Sequence, residues 1–328
     1  MTGDPDAVPV LRSLPDPDGL LDLVRRHWPQ VAAERVVLLR SLVNDVYRVD
    51  VRGDDGPRPG HVLKVYRHSH RSLRDVRWEV ALTGHLLGCG IPVPAVTDRA
   101  AGGAVAVLAA PEGPRPVTLS RFLPGRAPGE QSAALYSEYG RLVARWHNAA
   151  DSFPGPHRRL ADPLDAVPTI LARLRAEGHD RAYDAVRDLA DAAAARLGRL
   201  AALPAGQGPV RGIRHGDVTL DNILVTDGPE ARLTIIDFDL AEEGWTAADL
   251  YGVRSTGYWP DFAAAYAALR PLRPADHDAL PWFTVLSQFR NLVFHLVDKP
   301  AWRGTESYRE GWLDSLLGEL CRGAAALR

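Results

Sequence analysis

Two polar segments of the chain hold side chains of the types that phosphoryl transfer requires. Residues 213–225 include Asp217 and, five positions later, Asn222, and residues 233–239 include Asp237. Each segment adjoins a short apolar run, which predicts a polar loop attached to a buried strand. Asp217 could accept the proton of an attacking hydroxyl. Asn222 and Asp237 could bind Mg²⁺, which completes its octahedral shell with phosphate and water.

The order and spacing of these residues resemble those of a known family. His215-Gly216-Asp217 with Asn222, followed by Ile236-Asp237-Phe238-Asp239, is similar to the motifs of the aminoglycoside phosphotransferase and choline kinase family, relatives of the protein kinases. Asp239 stands where protein kinases have the glycine of their Asp-Phe-Gly motif, a replacement that is common in this family. Without the resemblance, the same residues could form a turn and a loop cap that have no catalytic role.

The resemblance implies a fold class and a division of the chain. We expect an α+β, two-lobed, protein-kinase-like fold, with a small antiparallel sheet and one key helix in the N-lobe and a larger, mostly helical C-lobe. Residues 1–17 are rich in Pro and Asp and are predicted to be flexible. Residues 18–124 then form the N-lobe and residues 125–328 the C-lobe, because a strand before Gly125 leads into a Pro/Gly break. Asp18 is predicted to cap a first helix.

The N-lobe contains a lysine in an unusual setting. Lys64 shares one face of a predicted strand with Val62 and Tyr66, and burying an ammonium there is unfavourable without an anion. The chain contains only one further lysine, Lys299, so arginine is its usual cation and Lys64 indicates a site that needs a compact ammonium. The predicted strands of this region are 35–42, 46–52, 61–67 and 117–122, with a further hairpin of 95–97 and 105–109 turned at Gly102-Gly103.

A helix at 72–87 follows Lys64 and carries Glu79 near its apolar stripe. The resemblance implies that Lys64 contacts the α- and β-phosphates of a nucleotide and that Glu79 pairs with it. Asp217, Lys64 and Glu79 are therefore the predicted catalytic residues. The alternative is that Glu79 is an ordinary solvated helix residue.

The resemblance also implies the rest of the nucleotide site. The link between the first two strands would lie over the phosphates, although a plain hairpin turn fits the same residues. Backbone groups of Arg121 and Leu123 would meet the adenine edge, and Leu224 and Ile236 would form an apolar floor. The implied cofactors are Mg²⁺ and ATP, with GTP as the alternative. The implied contacts to the nucleotide are Ser41, Asn44, Val62, Lys64, Arg121, Leu123, Leu224 and Ile236, and the implied metal ligands are Asn222 and Asp237.

Helical patterns dominate the second half of the chain, at 131–150, 163–177 and 180–203 and in most of the remainder. His147 follows an apolar stripe and is interpreted as a packed or surface histidine. Asp249 is interpreted as a structural residue that holds the catalytic loop or caps a helix. Arg290 and His295 interrupt another stripe, on a helix predicted to end at Asp298-Lys299-Pro300. Arg290, His295 and Asp239 are candidate acceptor contacts, with salt-bridged surface residues as the alternative.

The sequence is compatible with more than one kind of phosphoryl acceptor. A small alcohol such as an antibiotic, an amino alcohol or a sugar is favoured over a Ser or Thr of a peptide, and a pseudokinase that binds without turnover is a third class. A polycationic acceptor would need converging carboxylates. The acidic candidates Glu242, Glu243, Asp261 and Asp298 are scattered along the chain.

Composition narrows the range of partners. The 328 residues are 46% hydrophobic and 24% charged, with a net charge of -2, which gives no reason to expect nucleic acid or a membrane as partner. Cys89 and Cys321 show no metal-binding or redox spacing, so reduced thiols and a cytoplasmic location are expected. The start of the chain lacks a basic then apolar run, and no apolar run approaches the ~20 residues of a membrane helix. A monomer and a homodimer are both compatible with these features.

Overall fold

A computed structural model of the chain describes residues 8–156, 158–226, 232–304 and 311–326. The predicted flexible segment 1–17 therefore falls partly outside the described residues. Within that segment, Arg12 donates hydrogen bonds to the carboxylate of Asp45 and to the carbonyl of Leu42, each at 2.7 Å. These contacts attach residues just before the first helix to the first hairpin.

The described elements follow in chain order. The helices are α1 (Pro17–His27), α2 (Leu73–Gly88), α3 (Ala133–Ala150), α4 (Val167–Ala176), α5 (Asp180–Ala201), α6 (Tyr251–Arg254), α7 (Trp259–Ala267), α8 (Pro274–Val293), α9 (Lys299–Arg303) and α10 (Trp312–Ala325). The strands are β1 (Ala33–Ser41), β2 (Asp45–Val51), β3 (Arg58–Val65), β4 (Val105–Ala110), β5 (Gly113–Arg121), β6 (Gly125–Arg126), β7 (Arg211–Arg214), β8 (Ile223–Thr226), β9 (Leu233–Ile235) and β10 (Glu242–Trp245).

Contacts divide the described residues into two compact units. Unit 1 comprises Met1–Gln131, Ser152–Arg158 and Leu220–Asp239, and unit 2 comprises Ser132–Asp151, Arg159–Thr219 and Leu240–Arg328. The chain thus enters each unit more than once. The division into lobes at Gly125 stays a prediction.

An antiparallel sheet organises unit 1. Within the described residues, five strands lie in the order β1-β2-β3-β5-β4. Alternate residues of β3 point to one side, where Leu63 and Val65 are fully buried. They join a core that includes Val24 and Trp28 from the α1 region and Tyr47 from β2. A second sheet of the same unit has the order β6-β8-β9 and brings Ile223–Thr226 and Leu233–Ile235 into it.

The order of the strands corrects one prediction. Residues 95–97 do not form a strand that pairs with 105–109; Val96 makes an isolated bridge to Ser120, and β4 instead forms a hairpin with β5. The turn of this hairpin lies at residues 111–112, because Ala110 and Gly113 are the last paired residues of β4 and β5. Gly102 and Gly103 still form a turn, in which the Arg99 amide donates to the Gly103 carbonyl at 3.0 Å.

Helix termini explain two smaller differences. Helix α1 begins two residues earlier than predicted, because Asp16, not Asp18, caps it by accepting from the Gly19 amide at 3.1 Å. Helix α2 begins one residue later than predicted, at Leu73, because Ser72 caps it in a reciprocal capping box with Asp75. This cap sets where the helix that carries Glu79 starts.

Unit 2 is mostly helical. Helices α4, α5, α8 and α10 enclose a core that includes Leu174, Leu189, Phe289 and Leu320. The prediction that helix α8 ends at Asp298-Lys299-Pro300 is wrong. A π-helical segment at Phe294–Asp298 follows α8 and leads directly into α9. Pro300 falls at a first helical turn, where its missing N–H removes no helical hydrogen bond.

The antiparallel sheet in the N-terminal region and the helices of the C-terminal region make this an α+β protein, which confirms the predicted fold class. No helix in the described ranges is long and apolar enough to cross a bilayer.

Candidate functional site

Strand β3 positions Lys64 in unit 1. Its neighbours Leu63 and Val65 face the core, so the pleat turns Lys64 and Val62 to the opposite side. Tyr66, directly after the strand, lies on the same side as Lys64, whose ammonium is 4.8 Å from the centre of the tyrosine ring. The alternation read from the sequence therefore places the lysine as expected.

Three carboxylates surround this ammonium. Lys64 Nζ lies 2.9 Å from Asp237 Oδ1 and 2.6 Å from Asp239 Oδ1, and it reaches Glu79 Oε1 at 3.5 Å. Burial alone would lower the pKa of Lys64. The attraction of Asp237, Asp239 and Glu79 outweighs burial and holds that pKa well above its usual value. Lys64 therefore stays charged at every physiological pH.

Glu79 is the most enclosed of the three acids. It projects from α2, and its Oε1 accepts a hydrogen bond from the Tyr66 hydroxyl at 2.9 Å. Its Oε2 is buried and has no hydrogen-bond partner among the described residues. Burial, partly opposed by Lys64 and reinforced by Asp239 and Asp237, raises the pKa of Glu79 to about 7. The predicted pair of Lys64 and Glu79 is present, but its distance is longer than those to Asp237 and Asp239.

The backbone turns sharply at Asp237. Its φ of 65° lies in the left-handed region, which Asp adopts more readily than most residues. Two arginines stabilise this turn through hydrogen bonds to its backbone. Arg71 Nε donates to the Asp239 carbonyl at 3.1 Å, and Arg158 donates to the carbonyls of Phe238 and Asp239. Arg158 also lies over the Trp78 ring at 4.7 Å. Neither arginine was singled out from the sequence, since neither lies in a motif.

A cavity of about 320 Å³ opens beside Lys64 within unit 1. This is within the usual size range of small-molecule sites. The predicted adenine contacts Leu224, Ile236 and Leu123 line it, and the Arg121 amide already donates to the Ala95 carbonyl at 2.8 Å. A backbone contact of Arg121 to an adenine edge would therefore use its carbonyl. The predicted site residues that border the cavity are Val62, Lys64, Glu79, Arg121, Leu123, Asn222, Leu224, Ile236 and Asp237.

Ser41 and Asn44 do not line this cavity. The Ser41 hydroxyl donates to Asp45 Oδ1 at 2.6 Å and accepts from Arg12. Asn44 donates from Nδ2 to Asp239, and its Oδ1 accepts from the Arg67 amide at 3.1 Å. Ser41 therefore stabilises the hairpin, and Asn44 joins the hairpin to the Asp239 turn. Their contact with phosphates stays a prediction.

The donor set suits Mg²⁺ bound together with a nucleotide. The side chains of Asn222 and Asp237 border the same cavity, and amide and carboxylate oxygens are ligands that Mg²⁺ accepts. Among the described residues, no group of three or more His, Cys, Asp or Glu side chains could hold a metal ion. Two protein ligands are enough only if phosphate and water complete the shell, so this site fits a metal that arrives with phosphates.

Unit 2 contains the loop that carries Asp217. Gly216 has a φ of 84°, and a Cβ at this position would collide with the Leu240 carbonyl. The Asp249 carboxylate accepts from the amides of His215 and Gly216 at 2.7 and 2.8 Å. Asp249 thus fixes the backbone directly before Asp217, which confirms its predicted structural role.

His147 supports Asp249 from the other side. It is fully buried, with Nε2 at 3.0 Å from Asp249 Oδ2 and Nδ1 at 2.9 Å from the Tyr266 hydroxyl. Burial lowers the pKa of His147, although Asp249 opposes this effect. The interpretation of His147 as a packed histidine is confirmed.

The candidate acceptor residues fall in different places. Arg290 Nη1 lies 3.5 Å from the Gly216 carbonyl, beside the loop of Asp217. His295 packs its ring against Phe294 and Trp312. Asp239 belongs to unit 1 and binds Lys64. The roles of all three in binding an acceptor stay predictions.

Two of the four candidate carboxylates for a polycationic acceptor form ion pairs in unit 2. Glu242 pairs with Arg214 and Arg290, and Glu243 pairs with Arg159 at 3.1 Å. The role of these acids in binding an acceptor stays a prediction.

Comparison with known proteins shows the family of the chain. The model of the phosphotransferase enzyme family matches residues 35–283. An uncharacterised protein of Deinococcus radiodurans is 34% identical over 294 residues, which cover 84% of this chain and 80% of that protein. A homoserine kinase of Gluconacetobacter diazotrophicus is 32% identical over 235 residues, which cover 68% of this chain and 70% of that enzyme.

Solved structures share the fold. An amicoumacin kinase, in complex with AMP-PNP and Ca²⁺, has a TM-score of 0.70 at 18% identity, with 93% of each chain covered. A microcompartment-associated aminopropanol kinase has a TM-score of 0.63 at 23% identity, with 89% of this chain and 91% of that chain covered. The fold is therefore that of the small-molecule kinases related to protein kinases.

The chain belongs to the phosphotransferase enzyme family, whose model spans most of its length. It is an O-phosphotransferase, a kinase. The predicted family, fold class and enzyme class are confirmed.

Proposed function

We propose that this enzyme transfers the γ-phosphoryl group of ATP, bound with Mg²⁺, to a hydroxyl of a small molecule. The observation that carries the proposal is the position of Lys64 on the wall of the unit 1 cavity, with Asp237 2.9 Å from its ammonium and Asn222 on the same wall. A charged ammonium beside two oxygen ligands for Mg²⁺ is suited to a nucleotide polyphosphate.

Each side chain has a distinct part in this proposal. Lys64, oriented by Glu79, binds the α- and β-phosphates, and Asn222 and Asp237 would hold Mg²⁺, which neutralises charge on the β- and γ-phosphates. Asp217 orients the acceptor hydroxyl and accepts its proton. A bond forms between the acceptor oxygen and the γ-phosphorus while the bond to the β-phosphate oxygen breaks, and its electron pair leaves with ADP. Rate acceleration then comes from positioning and electrostatics.

The names of similar proteins support a small acceptor. Homoserine kinases, an aminopropanol kinase and an amicoumacin kinase are named for small molecules and not for a protein substrate. We therefore favour a small alcohol over a Ser or Thr in a peptide.

The test is to incubate the enzyme with Mg²⁺, ATP and a library of small alcohols, and to detect products that have gained one phosphoryl group by mass spectrometry. We expect Asp217→Asn to lower kcat by about 10² to 10⁴-fold while the Kd for ATP is retained, since a positioned base contributes about this much. Asp191→Asn, an exposed acid on α5, is the matched control. Turnover of Asp217→Asn close to that of wild type would contradict the role of Asp217, and phosphorylation of peptides alone would contradict a small acceptor.

A further inference from the structure

A buried charge cluster lies beside the catalytic loop in unit 2. Glu242 accepts a hydrogen bond from Arg214, and Arg290 Nη2 approaches the same carboxylate oxygen at 3.4 Å. The second oxygen of Glu242 accepts from the Leu160 amide at 2.8 Å. Two guanidinium groups therefore share a single carboxylate. We call Arg214 and Arg290 the arginine pair.

Strand pairing fixes the first member of this pair. Strands β7 and β10 are antiparallel, with Arg214 opposite Glu242 in register. Gly244 on β10 leaves room for the guanidinium, because a Cβ there would lie 2.9 Å from Arg214 Nε. Only about an eighth of the Arg214 side chain is exposed, at 12%. The charge of Arg214 is thus held close to the loop that follows it.

The second member is less well satisfied. Arg290 projects from α8, and its two described hydrogen bonds, to Glu242 and to the Gly216 carbonyl, are 3.4 and 3.5 Å long. Burial, followed by repulsion from Arg214, lowers the pKa of Arg290, although Glu242, Tyr251 and Asp249 oppose this. Asp249 itself is occupied with the amides of His215 and Gly216. Arg290 thus has no hydrogen bond shorter than 3.4 Å among the described residues, and 26% of its side chain is open to solvent.

The arginine pair lies close to the proposed base. Arg214 is three residues before Asp217 in the sequence, and Arg290 contacts the carbonyl of Gly216, the residue next to Asp217. The Tyr251 hydroxyl responds to both Asp217 and Arg290. Burial raises the pKa of this hydroxyl, and its hydrogen bond to Ser287 opposes that effect. Asp217 also raises this pKa, whereas Arg290 lowers it. Asp217 and Arg290 are therefore both within electrostatic reach of one hydroxyl.

We propose that the arginine pair binds a carboxylate of the acceptor, so that the substrate is a small hydroxy acid such as a hydroxy amino acid. A guanidinium binds a carboxylate through two parallel hydrogen bonds, which an amine or a neutral alcohol cannot replace. The short distance from Arg290 to the Asp217 loop restricts the acceptor to one whose hydroxyl and carboxylate are separated by a few bonds. This inference rests on the proposed function, since it assumes that Asp217 orients the hydroxyl.

Matched acceptor pairs test this proposal. Homoserine is compared with the amino alcohol in which hydrogen replaces its carboxylate, and serine is compared with ethanolamine. The measurement is kcat/KM for each acceptor at saturating Mg²⁺ and ATP. We expect at least one acid to be phosphorylated with a kcat/KM roughly 10- to 100-fold above that of its partner, the usual worth of a charged hydrogen bond.

Variants of the arginine pair separate binding from folding. We expect Arg290→Met to raise KM for the acid roughly 10- to 100-fold with a smaller change in kcat, and to lower kcat/KM for the acid more than kcat/KM for the matched amino alcohol. Arg290→Lys keeps the charge and should retain part of the preference. Arg173→Met, at an exposed arginine on α4, is the control for loss of an arginine from this unit. If Arg290 had only a structural role, Arg290→Met would lower kcat/KM for both acceptors by the same factor.

Three outcomes overturn the inference. They are equal or better turnover of the carboxylate-free partners, an unchanged preference in Arg290→Met, and no transfer to any acid of the panel. In each case the proposed function stands if the wider library of alcohols yields a phosphorylated product that depends on Asp217. Loss of all transfer from ATP, to any acceptor, would instead reject the proposed function.

Discussion

The ammonium nitrogen of Lys64 lies 2.9 Å from a carboxylate oxygen of Asp237, although 173 residues separate the two in the chain. The contact joins the central strand of the unit 1 sheet to a turn whose backbone is in the left-handed region. Lys64 stays charged, because burial alone would lower its pKa but Asp237, Asp239 and Glu79 raise it. A fixed ammonium next to a fixed carboxylate is the arrangement on which the proposed nucleotide site depends.

Chemical labelling can test whether Lys64 meets a nucleotide. We expect an acyl-phosphate derivative of ATP, which transfers its acyl group to a lysine near the phosphates, to modify Lys64. Lys299 is an internal control, because it is only 3% exposed in the folded protein. Peptide mapping should show modification of Lys64 that excess ATP suppresses, and modification of Lys299 only after denaturation. Labelling that ATP does not suppress would place the nucleotide elsewhere.

Asp237 should control the dependence on Mg²⁺. Asp237→Asn keeps the shape of the side chain, and Asn also tolerates the φ of 65°, so the turn should persist while the charge is lost. We expect turnover to fall by at least about 10²-fold, since a metal contributes several kcal/mol to the transition state. The measurement is a Mg²⁺ titration of turnover and of ATP-analogue binding, with Asp54→Asn as an exposed control. An unchanged Mg²⁺ requirement would show that Asp237 is not a ligand.

Glu79 should make stability depend on pH. Burial raises its pKa from 4.5 to about 7, so between these values the folded protein binds more protons than the unfolded chain. The free energy of unfolding therefore falls as pH rises through this range, and Glu79→Gln removes this contribution. We expect the difference in unfolding free energy, wild type minus Glu79→Gln, to decrease by at most about 1.4 kcal/mol per pH unit.

Denaturant unfolding at several pH values between about 5 and 8 measures this difference. Glu138→Gln is the matched control, because the Glu138 side chain on α3 is 45% exposed. A difference that stays constant with pH would mean that the carboxyl of Glu79 titrates alike in the folded and unfolded chain.

Gly216 should be required for the geometry of the catalytic loop. Its φ of 84° favours glycine, and a Cβ would collide with the Leu240 carbonyl. We expect Gly216→Ala to displace Asp217 and to lower kcat on the order of 10²-fold, since small misplacements of catalytic groups have effects of this size. Binding of ATP, measured by calorimetry, should change little.

Gly198→Ala provides the comparison for this change. A Cβ at Gly198 meets nothing within 4 Å, and the residue lies inside helix α5. The substitution should stabilise the protein by up to about 1 kcal/mol, because Ala is the better helix former, and should leave kcat unchanged. Equal activity of the two variants would reject the importance of the Gly216 conformation.

The sequence by itself determined the family motifs and most of the local structure around them. The alternation of apolar residues placed Lys64 on the face opposite Leu63 and Val65, and Ser72 marked the start of the helix that carries Glu79. These features depend on the two-residue repeat of a strand and on capping by a neighbouring residue, so they can be read over a few positions.

Only the tertiary structure decided which distant groups meet. In it, β4 pairs with β5 and not with residues 95–97, and Asp239 forms an ion pair with Lys64. Arg71 and Arg158 donate hydrogen bonds to the backbone of the Asp237 turn. The tertiary structure also put Arg214 and Arg290 on one carboxylate. Such contacts arise from the packing of whole elements and the neutralisation of buried charge, and no local pattern in the chain encodes either.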